Sequence, residues 1–544
     1  MRRPSETAMK KLAPVARALA GARRCGAFET RRPVVVARAP GRLDVMGGVA
    51  DYSGSLVCEM PLAVAAVVVA QARMDGRVVC VSAQEEGRNR KSGRNRGNQG
   101  NAVVLGAKVL AAAAPRKAAP RKLAKGLVGD RRWARYVAGT WWWLIRGMGQ
   151  GARGKGKMGA DPRPRVAAAA IENRKSKIEN ALPGVTLYVD SDVPLGGGVS
   201  SSAAVEVAAM AAGARLLGLK LGPMDLAVAC QWVENHVVGA PCGVMDQVTS
   251  ALGQEGALLE ILCQAGPDGR PAQVMGNVQV PKGFAFVGVH SGVAHEVSGD
   301  PYTDARVAAF MGQKILAQLQ KRDLTHGCLA NVPAEEYRRS WRQKLPESML
   351  GRAFLKNFRG TNDPVTKVNP RTVYRVRQGT DHPVFEMERV REFVRLLKQA
   401  GEMDGSLQIS DRRLPMVEGR TGCGVVEAIE NRKTRSGVRD AFMRRAGELM
   451  YASHASYSDC AHLGHPLTDK LVAMVRDLGP GKGFYGAKIT GGGSGGTVAI
   501  LMQDSPVCRR RLRTLRQRYE RETGRETMGF AGSGPGVKLG IFDF

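Results

Sequence analysis

Residues 192–207 read DVPLGGGVSSSAAVEV, three glycines and three serines set just before a run of strong helix formers. Glycine lets a backbone approach a guest closely, and the first turn of a helix carries unpaired amide hydrogens and partial positive charge. Together these features suit a phosphate held by backbone donors over residues 196–202. A plain capping turn explains the same residues equally well, and the segment alone leaves both readings open. It is not a P-loop, because GxxxxGK[ST] is absent and no lysine follows, and the contiguous glycines do not fit GxGxxG. Near the other end, TGGGSGG (490–496) places five glycines in seven positions and by itself reads as a hairpin turn between YGAKI and TVAIL. His290, His295, His454, His462 and His465 show no metal-ligand spacing.

Such loops need elements to hold them. VTLYVDSDVP (185–194) is β-rich and runs straight into the glycines, while SAAVEVAAMAAGARLLG (202–218) is alanine-rich with a glycine stop, so strand, glycine turn and helix follow in that order. WARYVAGTWWWLIRG (133–147) reads as a buried helix whose three tryptophans belong to a core. A base-stacking platform would interleave its aromatics with basic residues on an exposed surface.

At 544 residues, 44% hydrophobic and 5% aromatic, the chain can form two or three domains with real cores. Ten cysteines lie singly with no CxxC pair, which suits a reducing compartment. No stretch approaches the roughly 20 apolar residues of a membrane span, and no signal-type segment opens the chain, so the expected location is cytoplasmic, with no membrane partner. The net charge of +32 is concentrated: residues 87–178 hold 23 Lys+Arg against 3 Asp+Glu, which is 20 of the 32 net charges. GRNRKSGRNRGNQGN (87–101), APRKAAPRKLAK (114–125) and GARGKGKMGADPRPR (151–165) lack apolar periodicity. They read as basic low-complexity inserts over about 87–125 and 148–180, beside a basic N-terminal extension over 1–32. Charge placed this way predicts no nucleic-acid partner beyond non-specific binding.

ARAPGRLDVMGGVADYSGSLVCEMPL (37–62) and YGAKITGGGSGGTVAIL (485–501), taken with the glycine–serine turn, resemble in order and spacing the three motifs of the GHMP kinase superfamily, small-molecule kinases of sugars and isoprenoids. CQWVENHVVGAPCGVMDQVTSALG (230–253) resembles its galactokinase branch. The first motif, together with YRRSWRQKLPE (337–347) and NDPVTKVNPRTVYRVRQGTDHPVFEMERVREF (362–393), is similar to the kinase domain of the plant L-arabinokinases, over about residues 33–503. The resemblance implies an α+β fold of two domains, an N-terminal one over 33–255 and a C-terminal one over 256–544, with the active site between them. It implies ATP and Mg2+ as cofactors, a small-molecule sugar as partner, and phosphorylation of the anomeric hydroxyl of L-arabinose, with galactose as the alternative. A non-catalytic kinase-derived sugar sensor or a nucleic-acid-binding protein is the reading from another class. The plant proteins carry a glycosyltransferase-like half before the kinase domain, so the expectation here is a free-standing kinase.

Roles carried over by the resemblance fall on specific residues. Asp246 would accept the anomeric proton, with Arg42 beside it keeping the carboxylate ionised and offering charge to the phosphoryl group in flight. Ser201 and Glu234 would hold the metal through hard oxygen ligands. Gly196, Gly197, Gly198, Ser200, Ser201 and Ser202 would hold the ATP phosphates, and Gly491, Gly492, Gly493, Gly495 and Gly496 would form a loop supporting the site. Asp51, Tyr302 and the backbone of Gly243 would contact the sugar. Each has a plain rival: an ordinary ion pair for Arg42 and Asp246, a helix-surface carboxylate for Glu234, a core tyrosine for Tyr302. Gly48 and Val49 stand where galactokinases carry a Glu-His pair addressing the hydroxymethyl end of the sugar. Losing that pair favours a substrate without the group, because a buried hydroxyl left without a partner is costly. Restoring it, by Gly48→Glu with Val49→His, should then narrow a preference for the pentose.

Overall fold

The computed structural model describes residues 6–83, 102–106, 119–150, 183–294, 300–320, 327–403 and 435–544. Its strands are β1 (Val34–Met46), β2 (Leu56–Arg73), β3 (Val78–Ser82), β4 (Ala102–Leu105), β5 (Gly184–Ser191), β6 (Ala257–Leu262), β7 (Gln273–Gln279), β8 (Phe284–His290), β9 (Met349–Leu350), β10 (Val373–Tyr374), β11 (Phe484–Ile489), β12 (Thr497–Gln503), β13 (Met528–Phe530) and β14 (Lys538–Phe542). Helices are named by their residues. The fold is mixed α+β, as expected.

β1 and β2 are long runs of valine and alanine, buried along nearly their whole length, the pattern of strands covered on both faces. They pair antiparallel, and the other edge of β2 is shared: Leu56–Glu59 pair with β6, while Ala66–Arg73 pair with β5. The resulting sheet has the order β14-β1-β2-β5-β3-β4, with β6 and β7 added beside β2. Within it β3 and β5 are parallel, and the helix Ala134–Gln150 lies in the crossover between them.

Alternation along β1 divides its side chains between cores. Val35, Ala37 and Ala39 face a core built with the helices Ala134–Gln150, Ser201–Leu216, Pro223–Val233 and Met245–Leu252, where Trp141, Trp142 and Trp143 are all buried. The tryptophans are core residues, as read from the sequence. Val34 and Val36 face the helix Glu6–Arg24, whose Ala18 and Ala22 pack on Val67, Val69 and Tyr188. The segment expected to be only a basic extension therefore contains a helix that covers the sheet, with Arg17 paired to Asp190 at 2.6 Å. Beyond Arg42, the residues Leu43, Val45 and Met46 enter a different core, shared with the helices Val376–Glu402 and Arg435–Asp459 and with Ala499, Leu501 and Phe530 of a second sheet.

That second sheet is antiparallel with the order β11-β12-β8-β13, and its other face packs on the helices Pro466–Leu478 and Pro506–Thr523. β1 thus passes from one core into the next, and Arg42 sits at the changeover. The chain beyond residue 255 also returns to the first sheet, through β6, β7 and β14.

Of the segments read as basic inserts, Ala102–Leu105 forms the strand β4 on the sheet edge and Leu123 is buried in the helix Ala119–Lys125. Residues 84–101, 107–118 and 151–182 lie outside the described residues, as do His295 and Cys423. No disulfide joins the described cysteines, and no described helix is long and apolar enough to cross a membrane.

Candidate active site

The register of β1 against β2 shifts between Pro40 and Arg42. Such a bulge re-aims a side chain, and here it turns Arg42 toward the glycine–serine turn. The turn presses close: a Cβ on Gly41 would stand 2.7 Å from the Val199 carbonyl oxygen, which accepts the Arg42 amide at 3.1 Å. Arg42 is buried, and its Nε donates to Asp246 Oδ1 at 2.9 Å while Nη1 donates to the Gly198 carbonyl at 2.9 Å. The other carboxylate oxygen, Asp246 Oδ2, accepts the Ser200 hydroxyl at 2.6 Å. Both oxygens of Asp246, in the first turn of the helix Met245–Leu252, are thereby oriented.

Ser200 is left-handed (φ 59°, ψ 50°), and its hydroxyl does not cap the helix Ser201–Leu216 that it precedes. The capping reading of the serines thus fails at this position, because the hydroxyl serves Asp246 instead. Gly196, Gly198, Ser200, Ser201 and Ser202 line a cavity of about 420 Å³ that also takes in Arg42 and Asp246. Gly197 is turned away, its carbonyl accepting from Thr497 Oγ1 at 2.6 Å.

Two groups of lining residues flank Asp246. The first centres on Glu234, in the π-helical turn Glu234–Val238. Its carboxyl receives Gln247 Nε2 at 2.6 Å, the Cys242 thiol at 3.6 Å and the hydroxyl of Ser202. Burial, reinforced by the negative charge of Asp246, pushes it up to about 7. Glu206, one turn beyond Ser202 on the same helix, is buried, and burial with the charge of Glu234 drives its carboxyl well above the usual range. Arg132 and Tyr136 complete this wall.

The second group is Val49, Asp51, Gly243 and Tyr302. Asp51 is buried, and desolvation with the nearby charge of Asp246 raises its carboxyl to about 6, against the pull of Arg306. Arg306 in turn is held by Asp363 through Nε at 2.8 Å and Nη2 at 2.9 Å. Tyr302 packs edge-on to Tyr52, with ring centroids 6.1 Å apart, and lines the cavity while sitting in the core. Gly48 does not line the cavity; a side chain there would overlap Asp44 Oδ2 and the Tyr457 hydroxyl.

Gly491 and Gly492 close the cavity, and a Cβ on Gly491 would stand 3.0 Å from Arg42 Nη2. Gly493 and Gly495 shape the loop against Leu463 and Val293, and the Gly496 amide donates to Val293 O at 2.9 Å. Sequence reasoning missed Glu206, Arg132 and Tyr136. A signal existed for Glu206, the lone acid in an alanine- and valine-rich helix; the others stand in ordinary surroundings along the chain.

A model of the galactokinase galactose-binding signature matches residues 26–72, one of the GHMP kinases N terminal domain matches 165–254, and one of the GHMP kinases C terminal matches 437–521. Those spans contain Arg42 and Asp51, the glycine–serine turn with Glu234 and Asp246, and the 490–496 loop. The chain belongs to the GHMP kinase superfamily. Within that superfamily it is galactokinase-like. It is 33% identical over 559 residues to the L-arabinokinase of Arabidopsis thaliana, covering 94% of this chain and 47% of the relative, so it spans about half the length of that protein. A galactokinase of Actinobacillus pleuropneumoniae serotype 5b (strain L20) is 29% identical over 363 residues, 65% of this chain and 71% of its own length. Among solved structures, Lactococcus lactis galactokinase complexed with galactose superposes with a TM-score of 0.63 at 18% identity, over 96% of this chain and 99% of that one, a likeness of fold.

Proposed function

We propose that this GHMP kinase transfers the γ-phosphoryl group of ATP to the anomeric hydroxyl of L-arabinose, giving L-arabinose 1-phosphate and ADP. The observation that carries the reading is Asp246, its two oxygens held by Arg42 and Ser200 between the glycine–serine turn on one side and Asp51, Gly243 and Tyr302 on the other. The uncapped start of the helix Ser201–Leu216 offers backbone donors to the phosphates. A sugar seated against Asp51 and Tyr302 presents its anomeric hydroxyl to Asp246, which takes the proton as the oxygen attacks phosphorus and the bond to ADP breaks. Arg42 orients Asp246 and faces the transferring charge.

Mg2+ fits the first group of lining residues. A serine hydroxyl and a carboxylate are the hard oxygens it prefers, and Glu234 is a carboxyl whose buried charge a cation would relieve. The family resemblance pairs Ser201 with Glu234. The hydroxyl hydrogen-bonded to Glu234 is that of Ser202, so we assign the metal to Ser202 and Glu234 and leave Ser201 to the phosphates. When bound, the ion neutralises phosphate charge.

The pentose is favoured by the L-arabinokinase relative and by Val49, which gives the cavity wall no side-chain partner for a hydroxymethyl group. Galactose remains the second reading, supported by the galactose-binding signature over residues 26–72. ADP release measured across a panel of sugars at saturating Mg-ATP tests both. L-arabinose should give the highest specificity constant, and Asp246→Asn should lower turnover about 10²- to 10⁴-fold with ATP still bound. Galactose turned over as well as arabinose would replace the first reading with the second, and turnover of no sugar would leave a non-catalytic sensor.

A further inference from the structure

Asp44 on β1 and Lys488 on β11 are both fully buried, joined at 2.8 Å from Nζ to Oδ2. The same carboxylate accepts the amide of Gly491 at 3.1 Å and that of Gly48 at 3.2 Å, and the Tyr457 hydroxyl lies 3.1 Å from it and 2.9 Å from the Gly491 carbonyl. One buried anion therefore ties together both sheets, the 47–49 loop and the 490–496 loop. From below, His382 faces Tyr457 edge-on at 5.2 Å and reaches the Gly48 carbonyl with Nε2 at 3.2 Å, while Glu386 accepts the Gly47 amide at 3.2 Å.

This cluster stands one layer behind the cavity wall. Val49, which lines the cavity, packs with Tyr302, Tyr457, Leu463 and Ile489. Its left-handed backbone (φ 61°) is strained for a β-branched residue and is retained because its surroundings hold it. The space that a side chain at position 48 would need is filled by Asp44 and Tyr457. Restoring a glutamate there, as expected from the sequence to widen acceptance, meets filled space.

We infer that the buried Asp44–Lys488–Tyr457 cluster sets the depth of the sugar pocket and so determines acceptor length, with Tyr457 as the specificity-determining residue; this rests on the acceptor being a sugar. Gly48 is then a consequence of the cluster. Shortening Tyr457 lets the wall retreat behind Val49, and a hexose with one more exocyclic carbon then competes better with the pentose.

The experiment measures specificity constants for L-arabinose and D-galactose, with equilibrium binding of each by calorimetry, in wild type, Tyr457→Ala, Tyr457→Leu and Tyr457→Phe. Tyr457→Ala should shift the ratio toward galactose by roughly tenfold or more, the scale of one methylene in a pocket. Tyr457→Leu, whose retained bulk guards the fold, should shift it in the same direction by less, and Tyr457→Phe, which keeps the ring, should shift it least. Gly48→Glu should impair both sugars alone and favour galactose when combined with Tyr457→Ala. Turnover with an unchanged ratio in both shortened variants overturns the inference and leaves a kinase whose cluster is only structural. Binding of neither sugar to the wild type overturns both the inference and the sugar-kinase reading.

Discussion

The backbone of Gly243 lies directly against the carboxylate of Asp51, so close that a Cβ on Gly243 would occupy the space of Asp51 Oδ2. Glycine is required there by close approach. Gly243→Ala must push Asp51 out of place, and the specificity constant for the sugar should fall roughly 10- to 100-fold, on the scale of one lost buried polar contact. ATP affinity should change by no more than a small factor. Steady-state kinetics with each substrate varied in turn separates the two, and an unchanged sugar KM would remove Asp51 from the sugar site.

Asp51 and Glu234 make the ligand-free protein sensitive to pH. Their carboxyls titrate near 6 and 7 in the folded chain and near 4 when unfolded. Between those values the folded state binds the extra proton, so the stability these groups contribute is full below about pH 4 and is lost as pH rises through 6 and 7. Each accounts for on the order of 3 kcal/mol. Asp51→Asn cannot ionise, so its Tm relative to wild type should climb between pH 4.5 and pH 7.5, by about 2 to 3 °C on the scale for a chain of 544 residues. A difference that stays flat with pH would mean that Asp51 titrates normally.

Ser202 and Ser201 should separate in their response to metal. Losing the hydroxyl bonded to Glu234, Ser202→Ala should raise the Mg2+ concentration for half-maximal rate roughly tenfold. Ser201→Ala should mainly raise the KM for ATP. Titration of activity with Mg2+ at fixed ATP checks this, and the reverse order would return the metal to Ser201.

The largest basic run can be tested by removal. β3 and β4 are antiparallel neighbours with Val81 opposite Ala102, so deleting Gly87–Asn101 leaves residues 83–86 to close a hairpin, a length such loops commonly have. Kinetic constants should stay within about twofold, and salt-sensitive retention on nucleic acid should weaken as five Lys+Arg are removed. Loss of the folded state on thermal melting would assign that segment a structural part.

What the sequence determined by itself was local. The run through Gly196–Ser202 reads as strand, turn and helix because glycine freedom and alanine propensity act within a few residues, and the triple tryptophan reads as core because it lacks interleaved charge. The resemblance of three separated motifs pointed to Arg42, Asp51, Glu234 and Asp246, which the fold brings to one cavity. The tertiary structure alone decided which of three adjacent serines meets Glu234. Successive residues at the start of a helix point about 100° apart, so the choice depends on how the helix is rotated against its neighbours. It also decided that the first helix belongs to the sheet, that the last strand returns to β1, and that Asp44 meets Lys488 across 444 positions of chain. An aspartate in a strand and a lysine in another carry no mark of being partners. Only burial makes them so, because removing two charges from water is tolerable when packing brings them within hydrogen-bonding distance of each other.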